Sequence, residues 1–105
     1  MTKEQLREYK AIKKELQTLE VLHRRIERTG DAELTERYEA LCHKANEELA
    51  AIENAIKGLP PTKRDLMRLR YIEGMPWPLI SRRLNYSWQH LHRMHASALQ
   101  EIRDL

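Results

Sequence analysis

The run Ser87-Trp88-Gln89-His90-Leu91-His92-Arg93 concentrates the side chains of this chain that are suited to reading nucleic acid. A glutamine amide can meet the edge of adenine with two hydrogen bonds, and an arginine guanidinium can do the same to guanine. Histidine and tryptophan can contact phosphate, sugar or a thymine methyl. At helical spacing, Trp88, Gln89, His92 and Arg93 share an outer face, with His90 and His95 also turned outward. Leu91, Met94, Ala98, Leu99 and Ile102 recur on the opposite face, where a core would lie. Arg68, Arg70, Arg82, Arg83, Ser87 and His90 flank that front as candidate phosphate contacts, which position a protein on a duplex without reading its sequence.

Other chemistry finds no support in the residues. There is no Gly-rich phosphate loop, no nucleophile elbow and no carboxylate pair with a defined pocket, so an enzyme is not expected and no cofactor is implied. His92 and His95 can share a face, but His90 points away and no acidic or cysteine ligand accompanies them. A metal site is therefore not expected.

The elements that must carry these residues are helical. Three Gly, four Pro and no Phe stand against abundant Glu, Lys, Arg, Leu and Ala, which are good helix formers. Three breaks divide the chain of 105 residues: Thr29-Gly30-Asp31, Gly58-Leu59-Pro60-Pro61 and Glu73-Gly74-Met75-Pro76. Before the first, Tyr9, Ile12, Leu16, Leu19, His23 and Ile26 follow the three-and-four steps of a heptad seam, widened by Leu6 and Leu22. After it, Leu34, Tyr38, Leu41, Ala45, Leu49, Ile52 and Ile56 form a second stripe. Two long helices joined by a tight Gly turn predict an antiparallel hairpin over residues 1–58. Its stripes are wider than a pair can bury. The sequence therefore predicts a homodimer or higher oligomer through the hairpin, with docking onto the rest of the chain as the alternative. Cys42 reads as a small filler beside the seam, and His23 as a polar seam residue that sets register.

From Leu59 onward the spacing predicts three helices. Thr62 and Asp65 suggest a capped start for the first, which runs through Leu66, Leu69 and Ile72 to Gly74. Pro76 and Pro78 fit only the first turn of a short second helix, with Leu79, Ile80 and Leu84 inward. Asn85-Tyr86 supplies the turn, and Ser87 caps the last helix. Trp77 reads as core, Tyr71 and Tyr86 as packing residues with polar tips at the surface. The predicted class is all-α: a helical hairpin, then a three-helix helix-turn-helix domain over residues 59–105.

Charge agrees with that division. Up to Gly58, 11 Lys and Arg face 12 Asp and Glu; from Leu59 onward, 8 face 4, and three of the five His lie there. A basic domain beside a near-neutral one suggests a polyanion partner for the former. Cys42 is the one cysteine, so no internal disulfide can form. With a charged start and no apolar run of membrane length, this predicts a cytoplasmic protein without a membrane partner.

The stretch LMRLRYIEGMPWPLISRRLNYSWQHLHRMHASALQEI resembles region 4 of bacterial sigma factors. The likeness lies in the LRYIEG close of the first helix, the ISRRLNYS helix and turn, and the final ALQEI, and it covers under half of the chain. It is also similar to small phage-encoded proteins of Gram-positive bacteria that carry this domain behind a charged helical segment. The resemblance implies sequence-specific binding of double-stranded DNA by a transcription regulator acting with RNA polymerase. The promoter-contacting positions then fall on Trp88, Gln89, His92 and Arg93. Trp88, Pro76 and Pro78 depart from the usual pattern, which implies a different target. Two other functions fit the same elements: a small terminase-like DNA-packaging subunit, and a protein-interaction module using the same surface.

Overall fold

A computed structural model describes residues 1–104, and among them every regular element is helical. The chain forms α1 (Lys3–Arg7), α2 (Tyr9–Thr29), α3 (Ala32–Lys57), α4 (Pro61–Met67), a π-helical turn (Arg68–Ile72), α5 (Trp77–Leu84) and α6 (Trp88–Arg103). The expected all-α class is what the chain adopts. No helix among the described residues is long and apolar enough to cross a membrane.

Local chemistry explains most boundaries. Thr2 and Gln5 form a reciprocal capping box at α1, which satisfies two otherwise orphaned backbone donors. Gly30 closes α2 at φ 67°, and the Asp31 carboxylate accepts from the backbone N–H groups of Glu33 and Leu34 to open α3. The first helix does not run unbroken as the sequence suggests, because the chain shifts at Glu8 between α1 and α2. Thr62 is not the cap of α4: Pro60 stands there, with Pro61 in the first helical position, where the absent N–H costs nothing.

α2 and α3 lie against each other over much of their length. The Tyr9 hydroxyl donates to Glu53, and His23 stacks on Tyr38 with ring centroids 4.3 Å apart. As the partner's number falls while the first rises, the two helices run in opposite directions. Leu34 and Leu41, expected on the α3 stripe, are exposed. Thr35 and Cys42 are half-buried in their place. The stripe is thus Thr35, Tyr38, Cys42, Ala45, Leu49, Ile52 and Ile56, an unbroken three-and-four series. At its distal end the stripe lies one position from the large apolar residues because the small Thr35 and Cys42 take the inward places.

Two apolar clusters organise the molecule. One gathers Leu6, Tyr9 and Ile12 with Leu49, Ile52 and Ile56, and continues into Met67, Tyr71, Ala98 and Ile102. It therefore crosses the Pro60-Pro61 break. The other gathers Leu66, Leu69, Ile80 and Leu91, with Trp77, Leu84 and Tyr86 at its edge. α4 with its π turn, and α6, are each buried on two sides. Of the three α5 residues expected inward, Ile80 and Leu84 meet the second cluster and Leu79 is exposed. The Cα radius of gyration is 17.3 Å, well above the roughly 13 Å of a compact chain this long. The excess comes from the distal ends of α2 and α3, which reach away from the shared core.

Candidate nucleic-acid interface

α5 ends at Asn85, which adopts the left-handed conformation at φ 57°, a state that Asn reaches more readily than other non-glycine residues. The turn is held by the Ser81 hydroxyl, which donates to the Tyr86 carbonyl at 2.6 Å. Ser87 then caps α6, its hydroxyl accepting from the His90 N–H at 3.2 Å. Short α5, this turn and the 16-residue α6 form a continuous unit over the second apolar cluster. In the opening turns of α6, Leu91 enters that cluster and the opposite side is left to solvent.

On that outer side lie Trp88, Gln89, His92 and Arg93, all exposed. Trp88 is 52% exposed, and its ring meets His92 edge-on with centroids 4.0 Å apart. A large apolar ring left that open at a helix start is available to a partner. Gln89 and Arg93 project beside it, one turn apart. His90 is half-buried, its ring 4.7 Å from that of Tyr86.

The residues expected to hold phosphate divide into separate places. Arg82 and Arg83 are exposed on α5, and Arg68 is exposed on the π turn. Arg68 and Arg83 border one depression together with Asp65 and Glu73, so that surface is mixed in charge. Arg70 lies elsewhere. It is half-buried, donates to the Met75 carbonyl at 3.2 Å, and sets its guanidinium 4.7 Å from the Trp77 ring centroid. Ser87 spends its hydroxyl on the cap.

His95 does not face outward. It is 7% exposed and shares a 2.6 Å hydrogen bond with the Tyr71 hydroxyl, itself buried rather than tipped into solvent. Burial, and then the positive charges of Lys3, His92, Arg70 and Arg7, push the His95 imidazole down to about 4. Burial likewise raises the Tyr71 phenol. The pair is therefore neutral near pH 7. The cause is the second buried face of α6, which a one-sided reading of the helix leaves out. Among the described residues, no three His, Cys, Asp or Glu side chains gather as a metal site.

A feature not anticipated from sequence is the approach of the N-terminal cations. Lys3, Arg7 and Lys10 border a cavity with Arg70, Trp77 and His92. In the sequence these lysines and arginine look like the solvated side of an amphipathic helix. The near-neutral balance of the first 58 residues hides them further. Only their i, i+4, i+7 spacing hinted at a common face. No family model, curated protein or solved structure matches this chain.

Proposed function

We propose that this chain is a sequence-specific double-stranded DNA-binding protein, a phage or prophage transcription regulator acting with RNA polymerase. In this reading the chain from Leu59 onward is a sigma region 4-like helix-turn-helix domain and α6 is its recognition helix. The observation that carries the proposal is the outer face of α6: Trp88, Gln89, His92 and Arg93 stand exposed together at its start, directly after the Asn85 turn. A helix presenting such a face fits the B-DNA major groove, about 12 Å wide. Arg82 and Arg83 on the preceding helix are exposed, which suits phosphate contacts. The resemblance of the C-terminal stretch to region 4 points the same way.

The distal part of the α2–α3 pair takes the partner-binding role. Val21, Leu22, Leu34 and Leu41 are exposed there, which suits a second copy of the chain or a polymerase subunit.

Binding to a panel of promoter fragments tests the proposal. Replacing Gln89 or Arg93 by Ala should weaken the preferred fragment by about 1–3 kcal/mol and relax its preference over the others. Replacing Arg82 and Arg83 should weaken all fragments about equally and flatten the salt dependence. No binding of any duplex at low salt would overturn the reading and favour a protein partner for the same face. Mass measurement separates a dimer from the larger ring that a packaging subunit would form.

A further inference from the structure

The cavity between α1, the start of α2, the π turn and α6 has a volume of about 320 Å³. That lies at the small end of the range for ligand pockets. Four cations border it: Lys3, Arg7, Lys10 and Arg70. Among the described residues no carboxylate lines it and none of the four cations is in an ion pair. Glu4 on α1 is the one acid whose charge acts on Tyr71 in the cavity wall. Four like charges around one space raise the local positive potential, which favours an anion there.

Two of the four cations, Arg70 and Lys10, are held close to the cavity wall. Arg70 is fixed by the Met75 carbonyl and by the face of Trp77. One of its five N–H donors is used there, which leaves others for an incoming anion. Lys10 runs across Gly74, where an added Cβ would fall 1.8 Å from its Cε; the bare glycine leaves room for the lysine to follow the cavity wall. Trp77 and His92 add aromatic surface to the same wall. Guanidinium and ammonium groups suit phosphate oxygens, and the rings suit a planar group attached to it.

We propose that this cavity binds a small phosphate-bearing aromatic anion, of the class of a nucleoside monophosphate. The ligand bridges Lys3, Arg7 and Lys10 to Arg70 and so fastens the N-terminal helices to the C-terminal ones. The proposal does not depend on DNA binding. His95, lowered first by burial, is lowered further by the same positive charges.

Calorimetric titration of the intact chain with AMP, adenosine and inorganic phosphate tests it. AMP should bind saturably, at least about tenfold more tightly than either part alone, because both the charged and the aromatic walls are engaged. Arg7→Ala and Lys10→Ala alter exposed positions, so the fold should persist. Each should weaken AMP about fivefold or more, as loss of a charge-assisted contact predicts. Arg70→Ala should weaken it further, but the Arg7 and Lys10 variants decide the matter if that protein does not fold. Absence of saturable AMP binding would overturn the proposal. So would unchanged AMP affinity in the Arg7→Ala/Lys10→Ala double variant, or AMP binding no tighter than phosphate. The titration contains no duplex, so its failure leaves the DNA reading standing, and loss of DNA binding leaves the cavity standing.

Discussion

At the proximal end of the α2–α3 pair, Tyr9, Ile12, Leu49, Ile52 and Ile56 are shut from solvent against α4 and α6. At the distal end, Val21, Leu22, Leu34 and Leu41 carry equally apolar side chains into solvent. Apolar residues of the same two helices thus meet two different fates. Where a third and fourth helix cover the pair, the stripe becomes the main core of the molecule. Where only two helices meet, a pair of stripes buries half of each residue and leaves its flanks open. Stability should follow that division, with the proximal end tied to global folding and the distal end opening locally.

The largest effect is expected at the proximal end. Leu6 is fully buried in the cluster that spans both halves. Leu6→Ala should cost about 3 kcal/mol, the usual range for a core leucine. Denaturant unfolding followed by circular dichroism and by tryptophan fluorescence should remain coincident, since Trp77 and Trp88 lie in the C-terminal half. If the fluorescence transition stayed at its parental midpoint while the helices melted earlier, the shared core would not be one cooperative unit.

The Tyr71–His95 bond belongs to the same junction. Tyr71→Phe should destabilise by about 1–3 kcal/mol, because a buried ring nitrogen loses its partner. Acid should act on the same pair. The folded His95 pKa is lowered from 6.5 to about 4, so the unfolded chain binds the proton more readily. This contribution is fully present above pH 6.5 and is lost as pH falls from there toward 4. Substituting His95 by Gln should remove that part of the acid dependence; an identical pH profile for the variant would assign it to other groups. At the alkaline side, Tyr9 is raised to about 12 by burial and by its Glu53 partner. The unfolded phenol ionises first, so stability should decline as pH rises from 10 toward 12.

A smaller effect is expected at the distal turn. Gly30 sits at φ 67° with open space around its Cα. Gly30→Ala should therefore cost about 1–2 kcal/mol from backbone strain alone, with no clash to add. Hydrogen exchange should rise near residues 24–36 and leave the α4 and α6 amides at their parental rates. Faster exchange throughout α6 would show the two ends to be coupled.

The elements of this fold were legible where punctuation and period agree. Gly30-Asp31, Pro60-Pro61, the Pro76 start of α5, the Asn85 turn and the Ser87 cap all fall where residue chemistry requires them. What the periodicity did not reveal was the second buried face of α4 and α6. His95 looks outward, and the tip of Tyr71 looks solvated, until the N-terminal helices are laid on them, and that placement is a long-range choice. The front of α6 was readable because its polar residues sit opposite a clear apolar series. The cavity was not, because its cations come from segments some sixty residues apart, Arg7 and Arg70 among them.

The smallest expected effect is also the one that most sharpens the contrast between the two ends. Leu41 is 49% exposed, and its place in the stripe is taken by Cys42. In an isolated chain Leu41→Lys should change stability by no more than about 0.5 kcal/mol, as for other surface positions. The same substitution in an assembly held by this face would put a charge in an apolar contact. Sedimentation across a concentration series separates these cases. If the parent associates through the distal end, Leu41→Lys together with Val21→Lys should move it toward monomer while the monomer's own unfolding barely changes. If association persists unaltered, the copies meet elsewhere, and these exposed apolar residues are the flank of a two-helix arm rather than its means of assembly.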